Sequence, residues 1–137
     1  MRFASAIALL ALTLPAGAQE QITTITLSCN GTNKPTAATA ADQKPDPIKD
    51  LGIIVNLADH TVTFSEYVVP ITSITATEVS FSGKQTTRVV VPGVKPKPFT
   101  VSGTIDRVTG YASINWSYRF GNNNDWELTC RPTKRLF

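Results

Sequence analysis

Apolar and polar side chains alternate from Ile22 to Cys29, with Ile25, Leu27 and Cys29 on one face and Thr24, Thr26 and Ser28 on the other. A period of two is what a strand with one buried face produces. The pattern then changes. Positions 30–50 hold Pro35, Pro45 and Pro47, a Thr/Ala-rich stretch, and no large apolar residue except Ile48. That composition predicts a surface loop, tolerated by the fold rather than used by it.

Beyond Asp50, β-branched and aromatic residues dominate, and turn-forming residues interrupt them about every eight to twelve positions, the rhythm of a sandwich or barrel. Strands are predicted at 51–58, 61–67, 71–77, 78–82, 86–91, 99–105, 111–120 and 126–131. No window carries the period of an amphipathic helix. Residues 92–98, Pro-Gly-Val-Lys-Pro-Lys-Pro, are read as a loop because proline has no N–H to give to a ladder. The expected fold is all-β, a small antiparallel barrel or sandwich of about eight or nine strands.

The first 18 residues have a different character: one cation (Arg2), an apolar run over 3–14, Pro15, then Ala16, Gly17 and Ala18. This is the order of a secretory signal peptide, cleaved after Ala18. The apolar run falls short of the ~20 residues needed to span a bilayer. The expectation is a periplasmic or secreted protein with no transmembrane segment after cleavage, in which 19–137 form a single β domain. Losing Arg2 lowers the side-chain charge from the +3 of the whole chain to +2. With no basic stripe interleaved with aromatics, nucleic acid is not an expected partner.

Export gives the two cysteines their meaning. Cys29 and Cys130 are read as one disulfide joining the first and last strands. In the loop-entropy model, closing so long a loop stabilises the fold by about 4 to 5 kcal/mol. A redox or metal-binding role would need Cys-x-x-Cys spacing or more ligands nearby.

Apolar phase also selects registers. Leu57 opposite Val62 and Val55 opposite Phe64 imply a tight turn centred on Asp59 and His60. Phe99 and Val101 against Trp116 and Ile114 imply a four-residue loop at 106–109, with Gly110 following. Phe120 opposite Trp126, Tyr118 opposite Leu128 and Trp116 opposite Cys130 imply a five-residue loop at 121–125. Phe99, Trp116 and Cys130 then share a row, and Trp116 is expected to cover the disulfide.

Few residues carry chemistry. His60 is the only histidine and adjoins Asp59, but neighbours at a hairpin tip point apart, so turn formation is the reading preferred over half of a catalytic triad. Glu66, Glu78 and Glu127 fall at strand positions expected to face outward. No phosphate loop, zinc spacing or calcium loop occurs. Neither catalysis, a metal nor a cofactor is expected. In 103–110, Gly-Thr-Ile-Asp-Arg-Val-Thr-Gly, Asp106 is suited to accept backbone N–H bonds, Gly110 to adopt positive φ, and Arg107 to project from the tip. Lys95 and Lys97 lie within the Pro-rich loop, and Arg131, Lys134 and Arg135 precede the terminal Leu136 and Phe137. With Arg107 these cations form the candidate partner-binding set, for an anionic envelope component or an extracellular protein.

Thr26-Leu27-Ser28-Cys29, the 103–110 string and the ending Trp-Glu-Leu-Thr-Cys-Arg-Pro-Thr-Lys-Arg-Leu-Phe together resemble small exported β-rich proteins of Gram-negative bacteria that have no assigned function. Cys29-Asn30-Gly31 and the late Cys130 are also similar to the outline of the periplasmic inhibitors of C-type lysozyme. That second resemblance implies a Ser-Gly loop entering the lysozyme cleft, a part open here to Ser82-Gly83-Lys84, which Gln85 follows instead of the inhibitors' Tyr. The expected function is that of an exported, monomeric, non-catalytic binding or envelope-associated protein. The alternatives are a lysozyme-inhibitor-like protein and a lipocalin-like carrier whose hollow barrel would be lined by Phe64, Phe81 and Val101.

Overall fold

Alternating side chains become eight strands in the structure, a computed structural model that describes residues 17, 22–36, 44–87, 91–119 and 123–134. They are β1 (Thr24–Pro35), β2 (Asp46–Asn56), β3 (Thr61–Phe64), β4 (Tyr67–Ile74), β5 (Glu78–Thr86), β6 (Pro98–Asp106), β7 (Tyr111–Tyr118) and β8 (Asn124–Pro132). Each pairs antiparallel with the next, and β8 returns to β1, so the sheet closes into a barrel. Closure removes the exposed edges that an open sheet would leave. At this strand number the interior is just wide enough for side chains to fill it or for one small ligand.

The fold class is all-β and antiparallel, as the pattern predicts, and of the two architectures left open it is the barrel, with eight strands. At the seam between β1 and β8, Cys29 stands directly opposite Cys130, and the two sulfurs are bonded. The expected signal peptide, with its expected cleavage after Ala18, lies outside the described residues, apart from Gly17.

Antiparallel succession sorts the connections onto two rims. The turns 57–60, 75–77 and 107–110, with both ends of the barrel chain, form the short-turn rim. The opposite rim, called the long-loop rim, carries the 65–66 turn and the described ends of the β1–β2, β5–β6 and β7–β8 connections. The interior divides in the same sense. Phe64, Tyr67, Phe99, Trp116 and Trp126 sit on the strand ends near the long-loop rim, whereas Val55, Val62, Val79, Ile105 and Ala112 fill the other half.

Several boundaries differ from the sequence reading. Residues 30–50 are not one loop: β1 continues to Pro35 and β2 begins at Asp46. The backbone ladder supplies what the side chains lack, since β8 pairs with β1 as far as Pro35↔Asn124 and β2 pairs as far as Asn33↔Asp46. A bulge between Cys29 and Gly31 shifts the β1–β2 register, and there the Asn30 carboxamide accepts a bond from the Asp50 N–H at 2.9 Å. The strand expected at 61–67 is split by a two-residue turn, because Ser65 takes a left-handed conformation (φ 50°) without being Gly or Asn. The strand expected at 71–77 starts earlier, at Tyr67, and stops at Ile74. In place of separate strands at 78–82 and 86–91, β5 runs unbroken from Glu78 to Thr86, while 88–90 lie outside the described residues.

All three expected registers slip. Val55 faces Val62, Phe99 faces Tyr118, and Trp116 faces Asn124, displacements of two, two and six positions. Each slip is even, because an even slip keeps every side chain on its face and leaves the apolar phase satisfied. Trp116 is therefore buried as expected (6% exposed) but does not cover the disulfide. Its ring lies 5.0 Å from Tyr67 and from Trp126, and 5.8 Å from Phe64 and Phe99. The residue beside Cys130 on the β7 side is Gly110, whose carbonyl accepts the Cys130 N–H at 2.8 Å. Gly110 has φ 75°, and a Cβ there would run into the Cys130 carbonyl, so glycine is required twice over.

Candidate functional site

The β2–β3 turn brings Asn56 and Asp59 together. The Asp59 N–H donates to Asn56 Oδ1 at 3.0 Å, and Asn56 Nδ2 donates to Asp59 Oδ2 at 2.9 Å. Asp59 is thus engaged by its own turn, and His60 is exposed at the tip with φ 53°. Glu66, Glu78 and Glu127 are exposed, as expected for outward positions. Among the described residues no three His, Cys, Asp or Glu side chains gather into a group able to hold a metal ion.

The 103–110 string does what its sequence suggests. Asp106 Oδ1 accepts the Val108 and Thr109 N–H groups at 2.8 and 2.9 Å. Those bonds favour the carboxylate and hold its pKa below the ordinary value. Arg107 does not simply project: its Nη1 donates to the Thr75 carbonyl at 2.6 Å and its N–H to the Thr77 carbonyl at 2.7 Å, tying two neighbouring turns together.

The candidate cations are exposed but do not form one patch. Lys95 and Lys97 lie on the β5–β6 connection at the long-loop rim. Arg107, Arg131 and Lys134 lie at the short-turn rim, and Arg135 is outside the described residues. What binds this set in sequence is charge; strand direction separates it in space.

The long-loop rim holds features that residue-by-residue reading missed. Between Glu78 and Asp106 the chain has no acidic residue but four cations, Lys84, Arg88, Lys95 and Lys97. Lys84 is exposed on β5, opposite Thr100. Val91 and Val94, 61% and 53% exposed, flank Pro92 and Gly93. The Val94 N–H donates to the Val91 carbonyl at 3.3 Å, and Gly93 has φ 88°. Proline followed by a left-handed glycine is the composition of a type II turn. Thr87 pins the base of the loop: its N–H donates to the Lys97 carbonyl at 3.0 Å, and its Oγ1 accepts the Lys97 N–H at 2.9 Å. An uninterrupted run without acids is a signal the sequence contains, and charge patterning alone could have found it.

Two carboxylates of β8 toward this rim, Glu127 and Asp125, are each engaged by a side chain. Lys34 Nζ donates to Glu127 Oε2 at 2.6 Å, an ion pair that raises the Lys34 pKa. Asp125 accepts from Asn115 Nδ2.

Ser82-Gly83-Lys84 is not a loop. It lies within β5, paired with Ser102, Val101 and Thr100, and Gly83 faces Val69 and Pro70 of β4. The expected cleft-entering loop is corrected accordingly: polar residues here hold a ladder position instead of turning the chain. Phe64 and Phe81 are 1% exposed with ring centroids 6.0 Å apart, and Val101 is fully buried, so these three side chains are packed together. Trp116 Nε1 and Asn33 Oδ1 are buried without a hydrogen-bond partner, and both belong to the aromatic end of the core, since Asn33 faces Trp126 across β1–β8.

The chain matches no family model, no curated protein and no solved structure. No helix of the described residues is long and apolar enough to cross a membrane.

Proposed function

We propose that this chain is an exported, monomeric binding protein of the envelope or the extracellular space, which works by contact and not by catalysis. The observation carrying the proposal is the Cys29–Cys130 bond across the closing seam of the barrel. Bonds of this kind persist in oxidising compartments and are rare in the cytosol. The apolar run over 3–14 behind Arg2 supports the same destination. A binding role is supported by exposed cations at both rims: Lys95 and Lys97 at one, Arg107, Arg131 and Lys134 at the other. Their partner would be anionic.

The lysozyme-inhibitor reading loses its main support, because the segment it needs as a loop is a strand. The carrier reading loses support because Phe64, Phe81 and Val101 are packed.

Sedimentation with envelopes isolated from a Gram-negative bacterium tests the proposal. The full chain, expressed and recovered from outside the cytoplasm, is expected to pellet with envelopes at low ionic strength and to be released as salt rises. Failure to pellet at low salt would contradict it.

A further inference from the structure

Resting on the reading of an anionic partner, we infer that the β5–β6 hairpin is a lipid-docking element, with the turn 91–94 entering the interface of an anionic phospholipid surface and the lysines behind it meeting the phosphates. Three observations converge. The tip is apolar and exposed: Val91 and Val94 present more than half their surface to water on either side of Pro92-Gly93. Isolated exposed valines are ordinary, but two flanking one turn make a wedge. Backbone bonds also define the two described parts of the connection: the Val94 N–H to Val91 carbonyl bond closes the turn, and the paired bonds between Thr87 and Lys97 close the base.

Charge supplies the third observation. From Val79 to Ile105 the chain has no acidic side chain, and Lys84, Lys95 and Lys97 are exposed on the hairpin. Arg119, exposed one residue beyond β7, adds a cation beside it, because Tyr118 faces Phe99 at the start of β6. Among the described residues, the acids toward this rim sit on other elements: Glu66 in the β3–β4 turn, Asp46 and Asp50 on β2, and Asp125 and Glu127 on β8. An apolar tip on a purely cationic neck suits a surface with a hydrocarbon layer beneath a negative layer, a stacking that an acidic protein patch lacks. The short-turn rim has apolar Val108 exposed as well, but there Arg107 is engaged by Thr75 and Thr77, and Asp59, Glu78 and Asp106 lie among its turns.

The test is co-sedimentation of the full chain with phosphatidylcholine vesicles, with and without phosphatidylglycerol. Binding is expected only with phosphatidylglycerol, and each of Lys95→Gln and Lys97→Gln is expected to weaken it about fivefold at low salt. Val91→Ser with Val94→Ser should abolish the part of the binding that survives raised salt, because that part comes from apolar burial. Val108→Ser, at the opposite rim, should leave binding unchanged. Equal binding to both vesicles, or loss caused only by the opposite-rim variant, would overturn the hairpin assignment. Retention on isolated envelopes without binding to either vesicle would overturn the lipid assignment while leaving the wider reading intact. Failure on envelopes and vesicles alike would overturn both.

Discussion

Phe64 touches Tyr67, Phe81, Trp116 and Trp126 with ring centroids 5.8 to 6.4 Å apart, and it is almost wholly buried. Its truncation removes one side of four ring contacts and leaves a cavity. Phe64→Ala is therefore expected to lower the unfolding free energy by about 3 to 5 kcal/mol in a urea titration. Val108→Ala, at a turn position 76% exposed, should change it by no more than about 0.5 kcal/mol. Asp106 offers a test by pH. Its folded pKa is depressed by the Thr109 and Val108 N–H groups, so its contribution to stability is present above the unfolded value near 3.8 and is lost as pH falls through the lower folded value. Asp106→Asn keeps an acceptor at the turn but does not titrate. Denaturant midpoints measured from neutral pH downward should show a smaller acid loss in the variant than in the parent protein; identical profiles would remove Asp106 from the acid response. The roles of Asp106 and Gly110 were legible in the sequence because turn chemistry is local. Arg107 was not, because its partners Thr75 and Thr77 are brought near only by the barrel.

Strands were legible wherever side chains alternate, and their registers were not, for a reason that applies to every hairpin here. Apolar phase distinguishes odd slips from even ones and says nothing about how many residues an even slip spans. Turn length then depends on which residue accepts positive φ. At the β2–β3 turn that residue is His60, which makes a four-residue connection in place of a tight one. A β-branched side chain tolerates this conformation poorly, so His60→Val should destabilise by about 1 to 2 kcal/mol, whereas His60→Gly should be neutral or slightly stabilising. Thermal unfolding of the two variants distinguishes them, and equal midpoints would contradict the turn geometry. Ser65 is the same lesson in a shorter turn, since nothing in its residue type announces φ 50°. Residues 30–35 and 46–50 read as loop because pattern recognition follows apolar side chains, while these strands are held by backbone ladders to β8 and to each other. The candidate cations were legible one by one, but their division between two rims depends on strand direction, which becomes definite only once all eight strands and their turns are known.

Closure of the molecule rests on one seam. Every strand but the first and last is joined to its neighbours through short or moderate connections, whereas β1 and β8 meet across nearly the whole chain, 101 positions apart at the cysteines. A contact so remote in sequence carries a large loop entropy, and the bond between Cys29 and Cys130 removes most of that cost from the unfolded state. Replacing both cysteines by alanine is expected to lower the unfolding free energy by about 4 kcal/mol, with β1 and β8 the first amides to lose hydrogen-exchange protection. Uniform loss of protection over all eight strands would argue against a seam that depends on the bond. The most direct measurement is peptide mapping by mass spectrometry, without reductant, of the protein recovered from outside the cytoplasm. The expected result is a single cross-linked species joining the peptides that contain Cys29 and Cys130; two alkylatable thiols would contradict the sulfur-closed barrel and the exported role inferred from it.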